Sequence, residues 1–237
     1  MAEQLREMVE ASGSIVFFGG AGVSTESGIP DFRGTGGLYS RQYAYPPETI
    51  LSHNFFMSHT EDFYACYRQR LLFPRAKPNT AHLALAALEK AGKLKGIITQ
   101  NIDGLHQAAG SQTVLELHGS VHRNTCLGCG RHYGLAYIQN TAGVPRCGCG
   151  GIIKPDVVLY GEPLQDETVR RAAALIRRAD MLIIGGTSLS VYPAAGLVEY
   201  YRGSRLVLVN KAQTAADGRA NLVYHASIGE VLGALLP

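Results

Sequence analysis

The segment Ser14–Gly28, SIVFFGGAGVSTESG, decides the fold class of this chain. It begins with the β-branched and aromatic run Ile15–Phe18, which is typical of a buried strand. A glycine-rich turn follows at once. Gly20 and Gly22 allow the backbone to approach a diphosphate closely, and N–H groups at a helix start can meet its charge. The turn is not a complete GxGxxG motif, because Thr25 occupies the last glycine position.

Further segments repeat this strand-to-turn pattern, and helical periodicity separates them. The strands are predicted at Ile97–Thr99, Met181–Ile184 and Leu206–Val209, and the helices over the first residues of the chain, after Asn79 or Thr80, and around Val169–Ile176. Residues 30–78 are predicted to be largely irregular, with one helix around Asp62–Leu72. Strands that alternate with helices predict an α/β fold with a doubly wound, parallel, Rossmann-like sheet.

Polar or glycine residues follow each predicted strand, at the edge where parallel sheets bind ligands. Amide, carboxylate and hydroxyl groups at this edge suit a carboxamide and a ribose. The residues concerned are Gln100, Asn101 and Asp103 after the second strand, Gly186, Thr187 and Ser188 after the third, and Asn210 after the fourth. Each turn alone could be an ordinary strand-to-helix cap, but together they predict a dinucleotide that spans the sheet.

The segment LELHGS places His118 at the end of another predicted strand, followed by Gly119. An imidazole titrates near ~6.5 and can accept a proton at physiological pH, so His118 is a candidate general base. In the glycine-rich turn, Ser24 and Thr25 add hydroxyl donors. Further along, Arg33 could bind a diphosphate in bidentate fashion.

Four of the five cysteines are clustered, which in a chain without an export signal indicates metal binding more than disulfides. They form a CxxC pair and a CxC pair: Cys126, Cys129, Cys147 and Cys149. Such pairs on two tight turns suit one structural Zn²⁺ with no open position for catalysis. Because CxC is one residue shorter than CxxC, His122 and His132 are alternative fourth ligands. We predict a Rossmann-like domain over 1–30, 76–118 and 161–237, a cofactor loop with a helical insertion over 31–75, and a zinc-binding small domain over 119–160.

Composition excludes some classes of function. The chain has 237 residues, 46% of them hydrophobic, and a net charge of +3, which suits one α/β domain with a smaller appendage. No apolar run approaches the ~20 residues of a membrane span. The charged, amphipathic N-terminus does not resemble a signal peptide, so we predict a cytoplasmic protein without a membrane partner. No Lys/Arg tract marks a nucleic-acid site, and no direct nucleic-acid binding is predicted.

Six segments, taken in order, resemble the signature series of the sirtuins. They are GAGVSTESGIPDFRG, TQNIDGLH, LHGS, KPDVVLYGE, GTSLSVYPAAG and VLVN, and the resemblance extends from about Ser14 to Leu232. It implies NAD-dependent removal of acyl groups from protein lysines, with acetyl-lysine proteins or peptides as partners. The implied products are nicotinamide, O-acyl-ADP-ribose and free lysine.

The resemblance also implies a role for each matched residue. Ala21, Thr25, Phe32 and Arg33 would line the cofactor loop, beside Gly20 and Gly22, and Gln100 would contact ribose. Asn101, Ile102 and Asp103 would form the nicotinamide pocket, with Asn101 and Asp103 assisting His118, the implied general base. Gly186, Thr187, Ser188 and Asn210 would hold the adenosine half, with Ile228 near the adenine. Val157, Val158, Leu159 and Tyr160 would pair with the substrate peptide as an added strand.

In the implied reaction the nicotinamide–ribose bond breaks through an oxocarbenium-like state, and His118 later deprotonates a ribose hydroxyl. Two other enzyme activities stay open from the sequence. Mono-ADP-ribosyl transfer to protein shares the first bond cleavage. A dehydrogenase with structural zinc would favour the GxGxxG turn that this chain lacks. A non-enzymatic module is disfavoured, because Gln100–Asp103 and His118 converge on the nucleotide site.

The helix after the cofactor loop bears on which acyl group is removed. Some sirtuins that prefer succinyl- or malonyl-lysine share a Tyr-x-x-Arg pair there, because a buried carboxylate needs a cation and a hydroxyl. In this chain Tyr67 stands three residues after Tyr64, and Arg68 is one position out of register, ~100° around a helix. We therefore predict an apolar pocket that prefers acetyl and other uncharged acyl groups.

Overall fold

The computed structural model describes residues 2–32, 37 and 45–236 of the chain. The strands are β1 Ile15–Gly19, β2 Leu94–Thr99, β3 Val114–Glu116, β4 Gly119–Cys126, β5 His132–Gly134, β6 Ile153–Val157, β7 Met181–Gly185, β8 Arg205–Val209 and β9 Leu222–Tyr224. The helices are α1 Ala2–Glu10, α2 Pro47–Ile50, α3 His53–Ser58, α4 Thr60–Arg70, α5 Thr80–Lys90, α6 Leu105–Ala108, α7 Leu135–Asn140, α8 Asp166–Arg178 and α9 Ile228–Gly233. Short 3₁₀ helices cover Ala21–Ser27, Ala194–Tyr200 and Asp217–Arg219.

The main sheet has six parallel strands in the order β3-β2-β1-β7-β8-β9. The prediction of a doubly wound parallel sheet is confirmed, and the four predicted strands lie at its centre. The short outer strand β3 corresponds to the strand expected before His118, whereas β9 was not predicted. From β1 the chain first builds one side of the sheet, through β2 and β3, and then the other, through β7, β8 and β9. This reversal opens a crevice at the carboxyl ends of β1 and β7.

Strand β1 is buried on both faces, which explains its uninterrupted apolar sequence. Ile15 and Phe17 pack into one apolar core, with residues of α1, α5 and α9. Val16 and Phe18 pack into the other, with residues of α8. Asn79 caps α5, as predicted, because its side-chain oxygen accepts bonds from the N–H groups of the first turn.

A second, smaller sheet holds antiparallel strands in the order β5-β4-β6, and it shares a third apolar core with α2, α3, α4 and α7. The expectation of a single helix between 30 and 78 was wrong, because three helices lie in the described part of that range. The sequence carried a signal for one of them. Ser52 caps α3 through the N–H of Phe55, and both Phe55 and Phe56 are buried.

Two histidines, His82 of α5 and His106 of α6, are buried against each other, with ring centroids 4.7 Å apart. Neither ring nitrogen of His106 has a hydrogen-bond partner among the described residues. Burial first, and the neighbouring His82 second, lower the pKa of His106 to about 3. Burial also lowers the pKa of His82, although the nearby Asp103 and Glu26 oppose this. Both imidazoles are therefore neutral in the folded protein at neutral pH.

We expect acid to destabilise the fold through this pair. In the unfolded chain His106 binds a proton below pH ~6.5, whereas in the folded protein it does so only near pH 3. The free energy of unfolding is therefore highest above pH ~6.5 and decreases as the pH falls below that value. At pH 5 His106 alone should reduce the free energy of unfolding by about 2 kcal/mol. Urea denaturation at pH 7.5 and 5.0 measures this. His106→Leu should flatten the dependence and His59→Gln, at an exposed site, should not. If the free energy of unfolding of His106→Leu fell between pH 7.5 and 5.0 as much as that of the wild type, His106 would not be the cause.

Candidate active site

His118 lies at the junction of the two sheets, between β3 and β4. Its Nδ1 is 2.9 Å from the carbonyl oxygen of Gln100. Because a carbonyl only accepts, Nδ1 carries the proton and Nε2 keeps its lone pair. Burial lowers the pKa of His118, and the bond to Gln100 opposes this only partly. The side chain is therefore a neutral base at physiological pH, and Nε2 has no partner within the described ranges.

A hydrogen-bonded network joins the end of β2 to the glycine-rich turn. The hydroxyl of Ser24 donates to Oδ2 of Asp103 (2.6 Å) and accepts from Nδ2 of Asn101 (3.0 Å). Oδ1 of Asp103 accepts the N–H of Leu105 at 2.9 Å, and the Nε2–H of His122 donates to the Asp103 carbonyl. The sequence offers Ser24 only as one hydroxyl of the turn. The structure makes it the link between the two residues that were expected to assist His118.

The turns after β1 and β7 are in direct contact. The N–H of Gly22 donates to the carbonyl of Gly186 at 2.8 Å, and a Cβ on Gly22 would lie only 2.8 Å from the Cα of Gly186. Across the same crevice, Nε2 of Gln100 donates to the hydroxyl of Thr187 at 3.0 Å. The candidate residues from β1, β2 and β7 therefore meet at one edge of the sheet, as parallel strands require.

The other predicted cofactor residues occupy varied positions. Asn210 follows β8 directly and donates through Nδ2 to the Ala212 carbonyl, and the Ser188 hydroxyl is hydrogen-bonded to that of Ser190. Ile228 is buried, and its side chain packs beneath Gly185 of β7. The remaining members are Gly20, Ala21, Thr25 and Phe32, in or just after the turn that follows β1, and Ile102, beside Asn101. Arg33 lies outside the described residues.

Residues Val157–Tyr160, the predicted peptide-binding strand, are held within the chain. The N–H of Val158 donates to the carbonyl of His118, and that of Tyr160 donates to the carbonyl of Leu51, each at 2.9 Å. The N–H of Leu159 donates to the carboxylate of Glu162. A peptide strand added here must therefore use other backbone groups. Within the described residues, the Val158 carbonyl and the Gly161 N–H have no partner.

The four clustered cysteines bring their sulfur atoms together. All four Sγ atoms lie within 4.8 Å of one another, with Cys126 to Cys149 at 3.5 Å and Cys129 to Cys147 at 3.6 Å. Tetrahedral zinc with Zn–S bonds of ~2.3 Å sets its sulfurs ~3.8 Å apart, so the cluster fits Zn²⁺. Hydrogen bonds, that from the backbone N–H of Cys149 foremost, lower the pKa of Cys147 to about 6. The hydrogen bond with the backbone of Arg131 lowers the pKa of Cys129, but hydrogen bonds with the other three cysteines outweigh it, so that pKa is raised.

Gly151 allows the shortened pair, Cys147 and Cys149, to bring its sulfur atoms to those of the CxxC pair. A Cβ on Gly151 would lie 2.7 Å from the Sγ of Cys126, so only glycine permits this approach. The alternative ligands are engaged elsewhere, since His122 bonds the Asp103 carbonyl and His132 Nδ1 lies 3.0 Å from the Thr125 hydroxyl. The chain therefore offers a complete sulfur donor set without a histidine.

Known proteins are similar to this chain in sequence and in fold. The model of the family described as Sir2 matches residues 20–193. This chain belongs to the Sir2 family. A curated Sir2 relative from Clostridium acetobutylicum, named NAD-dependent protein deacetylase, is 57% identical over 97% of this chain and 95% of its own length. A relative of the same name from Cutibacterium acnes is 54% identical over 98% of this chain and 96% of its own length.

Solved Sir2 structures share this fold over nearly the full length of the chain. One, of Sir2 with a deacetylated p53 peptide and 3′-O-acetyl ADP ribose, has a TM-score of 0.90 and 39% identity, covering 98% of this chain and 96% of that one. Another, of Sir2 bound to a propionylated peptide, has a TM-score of 0.84 and 38% identity, covering 97% and 94%. Among the described residues of this Sir2 chain, no helix is long and apolar enough to cross a membrane.

Proposed function

We propose that this chain is an NAD-dependent protein-lysine deacetylase that transfers the acetyl group to ADP-ribose. One observation carries the proposal: a half-buried, neutral His118 with a free Nε2 stands at the sheet edge where Ser24 joins Asn101 and Asp103. Deacetylase relatives at more than half identity over nearly the full chain support it. The implied products are nicotinamide, O-acetyl-ADP-ribose and free lysine.

The residues of the site divide the work between two steps. NAD, when bound, supplies the ADP-ribose that accepts the acyl group. The Asn101–Ser24–Asp103 network orients a carboxylate and an amide for the step in which nicotinamide leaves. His118 Nε2 takes the proton of a ribose hydroxyl in the second step, and its Nδ1–H bond to Gln100 keeps that lone pair available. The Gly22–Gly186 contact brings together the two strand-end turns whose other backbone N–H groups would meet a diphosphate.

One assay separates this function from its rivals. The protein is incubated with NAD and an acetyl-lysine peptide, and the products are followed by mass spectrometry. We expect nicotinamide, deacetylated peptide and O-acetyl-ADP-ribose in equal amounts. ADP-ribosylated protein without deacetylated peptide would indicate a transferase. NADH would indicate a dehydrogenase, and no NAD-dependent product would indicate a binding module.

Asp103→Asn tests the nicotinamide step. We expect base exchange with labelled nicotinamide to fall by at least about tenfold, because a hydrogen bond to a charged group contributes ~1.5–3 kcal/mol. The KM for the peptide should change far less, since Asp103 bonds Ser24 and Leu105 and not the predicted peptide strand. Asp166→Asn at the exposed start of α8 is the control. Unchanged exchange in Asp103→Asn would exclude this role.

Tyr64 and Arg68, the groups nearest to a Tyr-x-x-Arg pair, each bond a backbone carbonyl, and Nη2 of Arg68 is buried without a partner among the described residues. The hydroxyl of Tyr64 donates to the carbonyl of Ile153. Arg68 donates through Nε to the carbonyl of Ile138 at 3.0 Å, and its guanidinium lies over the Tyr64 ring, 5.1 Å from the centroid. Tyr67, at the position where an acid-selective pocket would place arginine, is fully buried. These contacts support a preference for uncharged acyl groups.

We expect kcat/KM for acetyl-lysine to exceed that for succinyl-lysine by at least about a hundredfold on the same peptide. An unpaired buried carboxylate costs several kcal/mol, whereas a buried methyl group costs nothing comparable. Propionyl-lysine is the control for size, and it should remain within about tenfold of acetyl-lysine. A succinyl value equal to the acetyl value would show that a cation reaches the pocket.

The wider cellular role follows from the same proposal. Its partners are proteins that carry acetyl-lysine, and the matched Sir2 structures with p53 or propionylated peptides support this class of substrate. A cytoplasmic location and the lack of nucleic-acid binding stay predictions. Fractionation of cells that produce the protein, and a filter-binding assay with duplex DNA, would check them.

A further inference from the structure

We propose that Glu162 is a positioning residue for the acyl-lysine peptide: its carboxylate holds the segment Val157–Tyr160 in the conformation that receives the substrate. The inference rests on the proposed deacetylase function. It concerns a residue that the predicted site did not include, although Glu162 ends the KPDVVLYGE segment.

The Glu162 carboxylate joins three parts of the chain. Oε1 lies 2.8 Å from Nδ1 of His53, the first residue of α3. Oε2 lies 3.1 Å from Nζ of Lys154 in β6, and it accepts the N–H of Leu159 at 2.9 Å. Burial opposes the charge, but the Leu159 N–H, His53 and Lys154 together lower the pKa of Glu162. The residue is therefore a carboxylate, and both oxygens are engaged.

Two partners of Glu162, Lys154 and His53, also bond the backbone of the segment Val157–Tyr160. Nζ of Lys154 donates to the carbonyl of Val157 at 3.1 Å. The backbone N–H of His53 donates to the carbonyl of Tyr160 at 2.9 Å, so α3 is tied to the far end of the segment. The same segment reaches the reaction centre, because the N–H of Val158 donates to the carbonyl of His118. One carboxylate thus ties α3 and β6 to the segment Val157–Tyr160.

The location of these contacts predicts which kinetic constants depend on Glu162. The carboxylate touches α3, β6 and the loop after it, and none of its contacts lies in the crevice between β1 and β7. Glu162→Gln keeps the size of the side chain but leaves Lys154 and the Leu159 N–H with a weaker or missing acceptor. The loop should then sample other conformations, and part of the binding energy of the peptide is spent on ordering it.

The test compares the effect of the substitution on the KM for the peptide with its effect on the KM for NAD and on kcat. In Glu162→Gln we expect the KM for an acetyl-lysine peptide to rise about tenfold or more, because bonds to a charged group contribute ~1.5–3 kcal/mol. The KM for NAD and kcat at saturating peptide should change by less than about twofold. Peptide dissociation constants from fluorescence anisotropy check that KM reports binding. Glu167→Gln, in an exposed pair with Arg170, is the control and should change none of these values.

His53→Gln is the second variant, because it removes one contact and leaves Lys154 and Leu159 on the carboxylate. It should raise the peptide KM less than Glu162→Gln, by about threefold. It also serves as the test if Glu162→Gln does not fold. An unchanged peptide KM in both variants, or a fall in kcat and thermal stability with the peptide KM unchanged, would overturn the inference. If the wild-type protein itself does not bind or deacetylate acetyl-lysine peptides, the proposed function fails instead.

Discussion

His118→Ala is expected to reduce deacetylation of a saturating acetyl-lysine peptide by about 10²–10⁴-fold, the usual contribution of a general base. The physical reason is the arrangement of the ring. Nδ1–H is committed to the Gln100 carbonyl, so Nε2 is the only basic atom of this side chain, and no other described group stands in for it. Rates from single turnovers measure the chemical step without product release.

Two observations make this expectation specific to proton transfer. NAD binding, followed by titration calorimetry, should persist in His118→Ala, because His118 bonds only the backbone of Gln100. In the wild-type protein, activity should be lost as the pH falls through the lowered pKa of His118, below the ordinary value near ~6.5. His59→Ala, at an exposed position, is the control. Near-normal turnover in His118→Ala would refute the assignment.

Removal of zinc is expected to unfold the small sheet and abolish activity. Ligation of structural zinc contributes ~10–16 kcal/mol in small zinc domains, which is as large as the ~5–15 kcal/mol that usually stabilises a whole domain. In this chain Cys126 ends β4, and β4 starts directly after His118. Loss of the metal should therefore also loosen the general base, even though zinc takes no part in the reaction.

Metal analysis and circular dichroism test this expectation. Protein purified without added zinc should contain one equivalent per chain, and well under one equivalent would contradict the site. Cys149→Ser should lose zinc as completely as Cys126→Ser, because the sulfur cluster contains both. Retention of zinc by Cys149→Ser would instead assign the fourth ligand to a histidine. Cys66→Ser is the matched control, since Cys66 is a half-buried thiol outside the cluster.

The sequence determined the central fold and the chemistry of the site. Short β-branched and aromatic runs such as Ile15–Phe18, each followed by a turn, indicate strands buried on both faces. The turns bring their polar residues to one edge of a parallel sheet. The paired cysteines determined a metal site in the same way, because ligand type and spacing are local properties. The outer strand β9 was not predicted, because its three residues carry too little periodicity. The helices α2 and α3 were missed for the same reason, because each is too short to show a helical period.

Only the tertiary structure decided how these residues act. Ser24 links Asn101 to Asp103 across a long separation in the chain, and the carbonyl of Gln100 selects the tautomer of His118. Both depend on atoms that meet after the sheet has formed, so no local pattern encodes them. Helical spacing alone likewise could not show that Arg68 bonds the carbonyl of Ile138. Spacing places a side chain on a face of a helix, whereas the packing around that face decides which atoms the side chain reaches.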